Sequence, residues 1–274
     1  MKDSILFCLS RVWGRVLFFL FAFLILSLPA GAEDREIPFF PGEKLVFQVR
    51  WGFIPAGEAV LEIRPMTTVN NIPSYHFSFT ARTSKLADIF YKVRDRIDAY
   101  TDHSMTHSLL YTKHEKGKRH RKTTVSFDWE KNKAFYTEIR GKDVRRENVP
   151  VSILPGSFDP LSVFYAFRLL ELGEGLVYEA PVTDGKRCVM GKLTVIKREN
   201  IKVGDTTYET FLVEPDLEHL GGVFDKKRDS KLQIWVTADG TSIPVRIESE
   251  VAVGSFVAEL VSRTSTTPSS TKIY

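Results

Sequence analysis

The sequence predicts a mainly β protein: antiparallel curved sheets, half-barrel or sandwich-like, in two β-rich halves with one buried central helix. Three observations carry this. Apolar residues alternate with polar ones in run after run, turn dipeptides separate the runs, and one central segment is apolar nearly all round. Successive strand side chains point to opposite faces, so strict alternation marks a half-buried strand. One wet face per strand favours antiparallel pairing over a parallel core covered on both sides.

In chain order, Leu45, Phe47, Val49 and Trp51 alternate with Lys44, Gln48 and Arg50; Ala59, Leu61 and Ile63 with Glu58, Glu62 and Arg64. Tyr75, Phe77, Phe79 and Ala81 form a third run, and Thr123, Val125, Phe127 and Trp129 a fourth. After the centre come Leu232, Ile234 and Val236, then Ile243, Val245 and Ile247. Asn70-Asn71, Lys116-Gly117, Asp184-Gly185, Gly204-Asp205 and Asp239-Gly240 read as turns between such runs. Ser84–Tyr91 breaks the alternation and reads as a short helix or an irregular crossing. Residues 159–170 read as the central helix. Asp159 suits the N-cap, Pro160 the first helical position, and Gly173 and Gly175 end it. Its apolar surface places Phe164 and Phe167 in the core. The helix joins halves of about 39–150 and 176–262, and residues 263–274 read as a flexible tail.

The first 32 residues read as an export signal. Lys2, Arg11 and Arg15 precede thirteen uncharged residues, Val16–Leu28, followed by Pro29 and the small triplet Ala30-Gly31-Ala32. A spanning helix needs roughly 20 apolar residues. Cleavage after Ala32 is therefore expected to release a chain with no integral membrane segment, into the periplasm if the source is Gram-negative. No cysteine follows the small residues to carry a lipid anchor. Cys8 lies in the signal, so the released domain, 33–262 plus the tail, holds only Cys188 and no internal disulfide. Cys188 reads as a small core residue. The formal charge of +4 falls to +2 once Lys2, Arg11, Arg15 and Asp3 are removed. That is too mild to imply nucleic acid.

Catalytic signatures are missing from the sequence: G-x-S-x-G, a Gly-rich phosphate loop, H-E-x-x-H and C-x-x-C. No cofactor is expected. His103 and His107 have i, i+4 spacing but sit in an expected turn, and no third metal ligand stands at a recognisable spacing. The basic hairpin around Gly117 carries Lys116, Lys118, Arg119, Arg121 and Lys122, candidate contacts for a membrane or another polyanion. Its alternative reading is a solvated hairpin whose charges protect an edge. Asp95 shares parity with Val93 and Ile97. It either points inward, where Arg168 of the helix is a well-shaped partner, or faces water. The aromatic faces also admit two readings, a packed core or the lining of an apolar cavity. In the second, Trp51, Phe77, Phe79, Trp129 and Arg168 are the candidate ligand-binding residues.

The order of three segments is similar to that of the DUF3108 family. They are Gly42-Glu43-Lys44-Leu45-Val46-Phe47 with Trp51-Gly52-Phe53-Ile54-Pro55-Ala56-Gly57; Phe158-Asp159-Pro160-Leu161-Ser162-Val163-Phe164-Tyr165-Ala166-Phe167-Arg168; and Leu232–Gly240 with Ile243-Pro244-Val245-Arg246-Ile247. The resemblance covers roughly residues 39–262. It implies an exported bacterial protein with a β-rich fold, and it brings no activity and no catalytic residues.

Two functional readings follow. The first is a non-enzymatic binding or envelope-assembly factor with an apolar groove or cavity, whose partner is a lipid, a lipoprotein or an envelope glycan. The alternative is an enzyme acting on an envelope glycan or lipid through loop carboxylates, for which Asp216, Glu218 and Asp225 are candidates.

Overall fold

The structure is a computed structural model that describes residues 37–117, 120–141, 144–216, 232–250 and 255–265. The proposed signal segment therefore lies outside the described residues, as do Lys118, Arg119, Glu218 and Asp225. Fifteen strands among the described residues form one antiparallel sheet. The first half contributes β1 (Lys44–Trp51), β2 (Ile54–Val69), β3 (Ile72–Thr83), β4 (Arg94–Asp102), β5 (Ser108–Lys116), β6 (His120–Asp128), β7 (Lys133–Arg140), β8 (Val144–Glu147) and β9 (Val151–Ser152). The second contributes β10 (Val177–Thr183), β11 (Cys188–Val203), β12 (Thr206–Asp216), β13 (Leu232–Thr237), β14 (Pro244–Glu250) and β15 (Ser255–Thr264).

Each half is a meander, and the β1–β15 pairing joins them into a single open curved sheet, with the order β10 to β15 followed by β1 to β8. Bulges interrupt β2 between Arg64 and Thr67 and β11 between Val195 and Lys197. Such bulges bend long strands and let a wide sheet curl. All five expected turns lie between paired strands. Asn70 and Asn71 both have positive φ, 49° and 65°, the backbone a two-residue hairpin needs to match strand twist. Strand β15 runs two residues into the stretch read as a tail, because Lys44 and Leu45 pair with Thr264 and Arg263.

The central helix α1 is shorter than the sequence suggests. It spans only Ser162–Phe167. Leu161, not Asp159, holds the N-cap position, and Pro160 lies in the turn before the helix. Asp159 braces that turn: its Oδ1 accepts the Leu161 and Ser162 amides at 2.9 and 3.0 Å, and its carbonyl accepts the Val163 amide. Ser108 of β5 donates its hydroxyl to Asp159 Oδ2 at 2.6 Å, anchoring the helix entry to the sheet. Phe158 bridges to Val182 of β10, and its carbonyl accepts the Thr183 amide. Phe167 and Tyr165 are buried, but Phe164 is only half-buried. A single turn and a half cannot bury every side of its circumference, and Tyr165 takes the inward position. The Tyr165 ring stacks on Phe77 of β3 at 3.9 Å, and Phe39 meets both rings edge-on.

Candidate functional site

Antiparallel meanders put alternate connections at the same rim. Here one rim carries the ends of β14–β15, β1–β2, β3–β4, β5–β6 and β7–β8. Their contiguity is visible in the backbone. Trp51 pairs with Phe256, and the Gly52 amide bonds to Ser255. The Ser84 amide and hydroxyl reach the carbonyls of Ala56 and Pro55 at 2.8 and 3.1 Å, setting the β3–β4 connection beside the β1–β2 turn. A Cβ on Gly117 would lie 2.0 Å from the Lys92 carbonyl oxygen, so the β5–β6 turn abuts that connection. The Gly141 amide bonds to His120 at 3.2 Å.

Polar groups build the scaffold of the β3–β4 connection. Arg94 pairs with Asp88 at 2.6 Å and donates to the Thr83 carbonyl. Ser84 accepts the Ala87 amide through Oγ and the Asp88 amide through its carbonyl. Hydrogen bonds from Arg94 and then Thr83 hold the Asp88 carboxyl below its ordinary range. With Thr83, Ser84, Asp88 and Arg94 engaged in these bonds, the apolar side chains face out: Leu86 is 67% exposed, Ile89 76%, Phe90 85% and Tyr91 56%. Next to them, Phe53 at the tip of the β1–β2 turn is fully exposed, Ile54 is exposed, and Trp51 stacks on Phe256 at 6.4 Å with both rings 40% exposed. A loop braced by its own hydrogen bonds that presents its large apolar side chains to solvent is an unusual surface feature, and this makes the rim the candidate site.

Trp51 therefore stands at the rim. Phe77 has no exposure and its face is occupied by Tyr165. Phe79 and Trp129 are half-buried against the core, and Trp129 donates Nε1 to the Ser108 carbonyl at 2.9 Å. Arg168 is fully buried. Its partner is Glu43, at 2.5 and 3.1 Å, and not Asp95. Arg168 Nε also donates to the Thr241 carbonyl, and its guanidinium lies over the rings of Phe39 and Tyr165. Asp95 is half-buried, opposite Glu115 on β5. Burial raises its carboxyl above the ordinary range, against the pull of Lys113.

The basic hairpin divides by parity. Arg121 points inward and is engaged by Glu115 and Glu138, while Lys116 and Lys122 are exposed. His103 and His107 lie in an irregular turn, and His107 packs against Trp129 at 4.6 Å. Asp216 and Glu214 line a surface recess with Lys192, Thr194 and Leu232. Two apart on one strand, these carboxylates share a wall and do not oppose each other across a cleft. Sequence reasoning passed over Phe53, Leu86, Ile89 and Phe90. The available signal was Leu86–Tyr91 itself, an apolar run of neither helical nor strand period.

Compared with protein families, residues 46–261 match DUF3108, described as a protein of unknown function. Among solved structures, the chain is similar to one described as a β-barrel-like protein of domain of unknown function DUF1849 from Brucella abortus. The TM-score is 0.52 at 11% identity, covering 83% of this chain and 99% of that one. At that identity the likeness concerns the fold. No curated protein matches the chain.

Proposed function

The chain belongs to the DUF3108 family, and on that premise we propose that it is an exported, non-enzymatic envelope protein that docks on a lipid leaflet through its apolar rim. The observation that carries this is the ordered exposure of Phe53, Leu86, Ile89 and Phe90 on two adjoining connections. The reading places the contact at the rim and not in an interior groove, because Phe39, Phe77 and Tyr165 pack together between helix and sheet. Export is supported by the basic, apolar and small-residue order of the first 32 residues. Aromatic side chains suit the boundary between water and acyl chains, where an apolar ring is buried while the backbone stays hydrated.

Withdrawing a phenylalanine side chain from water contributes about 1.5–3 kcal/mol. Replacing Phe53 and Phe90 together by serine should therefore weaken binding to phosphatidylcholine vesicles roughly a hundredfold or more. Both rings are exposed, so urea stability should hardly change. Co-sedimentation of the protein as the producing cell releases it, with and without the two substitutions, tests the proposal. Equal sedimentation of the two forms would refute it.

A further inference from the structure

Resting on the rim reading, we infer that the rim selects anionic lipid head groups, through lysines on two connections that act as one rigid surface. Lys85 and Lys92 bracket the segment Leu86–Tyr91; both lysines are exposed, as are Leu86, Ile89, Phe90 and Tyr91. Lys116, at the end of β5, is exposed beside them, with His120 and Lys122 on the neighbouring strand. Nearby acids are engaged by other cations. Asp88, the one acid between Ser84 and Val93, is held by Arg94 at 2.6 Å, and Glu115 is held by Lys113 and Arg121. Among the described residues, Lys85, Lys92 and Lys116 form no ion pair with an acid, so their charge is available to a ligand.

The local field shows in a neighbour. Burial first, and then the charges of Lys122 and Lys116, push the His114 imidazole below its ordinary range. Lysines flanking an apolar patch meet phosphates at the depth where the rings enter the acyl boundary, and their stems lie along the apolar surface. The occupant is thus a leaflet carrying net negative charge.

Gly117 makes the two connections one surface. Its backbone rests against that of Lys92, and a Cβ there would lie 2.0 Å from the Lys92 carbonyl oxygen and 3.0 Å from its carbonyl carbon. Both neighbours are backbone atoms, so a side chain at position 117 would push the hairpin off the apolar connection. Gly117→Ala would then keep every charge and every aromatic ring while separating them.

Vesicle binding separates these ideas. The probes are phosphatidylcholine vesicles and mixed phosphatidylcholine–phosphatidylglycerol vesicles. Each lysine near an anionic surface is worth about fivefold, so three should give the wild-type chain roughly a hundredfold preference for the mixed vesicles. That preference should shrink with added salt. The triple variant Lys85→Gln, Lys92→Gln, Lys116→Gln should lose most of the preference and keep its binding to phosphatidylcholine. Gly117→Ala should erode the preference with its charge intact. A triple variant with undiminished preference overturns the inference. A wild-type chain that binds both vesicles equally overturns it too, yet leaves the rim reading standing. One that binds neither overturns both.

Discussion

Removing Glu43 should destabilise the fold more than almost any other single change at a polar position. Arg168 has no exposure, and Glu43 supplies two of its three hydrogen bonds, at 2.5 and 3.1 Å. The third goes to the Thr241 carbonyl. In Glu43→Ala the guanidinium stays buried with one carbonyl and two ring faces for company. Breaking a buried pair from one side in this way costs about 3–5 kcal/mol. Glu43 cannot readily be replaced by a neighbour. Its carbonyl accepts the Ile63 amide at 2.8 Å, and the adjoining Gly42 amide donates to the Ile63 carbonyl, so the backbone there is fixed. Arg263 approaches Glu43 at 3.9 Å but is 38% exposed, and Arg263→Ala should cost less than about 1 kcal/mol. Replacing both members, as Glu43→Leu with Arg168→Met, should recover most of the loss, since apolar packing often matches a buried pair. Urea titrations of the three variants and the unchanged chain, compared at constant m-value, measure these differences. A Glu43→Ala penalty below about 1 kcal/mol would refute the reasoning, because a stranded buried charge cannot be that cheap.

Tyr165→Ala should cost about 3–5 kcal/mol, because its ring is buried between Phe77 and Phe39. Phe164→Ala, at a half-buried position, should cost roughly half as much in the same titration; equal penalties would mean the helix is seated differently. Acid stability should depend on Asp98. Burial raises its carboxyl, but hydrogen bonds from His76 and Arg96 outweigh this and hold it well below the ordinary value of 3.8. A depressed folded value means stability that is full above the unfolded pKa and lost as pH falls through the folded one. Asp98→Asn should therefore flatten the fall in urea stability below about pH 4, and an unchanged acid limb would contradict this assignment.

The strands were legible because their signal is local. Side chains at i and i+2 share a face, so Leu45, Phe47, Phe77, Val125 and Phe127 announce a buried face without knowledge of their partners. Turn chemistry is equally local: Gly185, Gly204 and Gly240 have positive φ, 82°, 58° and 83°, at hairpin ends their sequence marks. The approach to the helix was legible, since Asp159 needs only the next three residues to hold their amides, though the cap position itself falls two residues later, at Leu161. Its end was not. Leu169 and Leu170 continue the apolar run, yet the α-helix ends at Phe167, the next amides bond only three residues back, and Arg168 turns to Glu43, 125 residues away.

What the sequence by itself determined is the set of strands, their turns and the likeness to DUF3108, each written in short-range pattern. Tertiary structure alone decided which residues meet and which are left uncovered. Asp95 and Glu43 are both acids near strand starts, and only the pairing of β1 with β2 and β15 carries Glu43 to the guanidinium. Arg121 and Lys122 are adjacent cations, and only the register of β6 turns one inward to Glu115 and leaves the other in water. Phe53 and Phe90 have the same chemistry as the buried Phe47 and Phe77; alternation assigns the latter two to a buried face, but nothing local says that Phe53 and Phe90 are left uncovered. Exposure is a property of the assembled sheet, because a side chain is buried only when residues distant in sequence are brought over it.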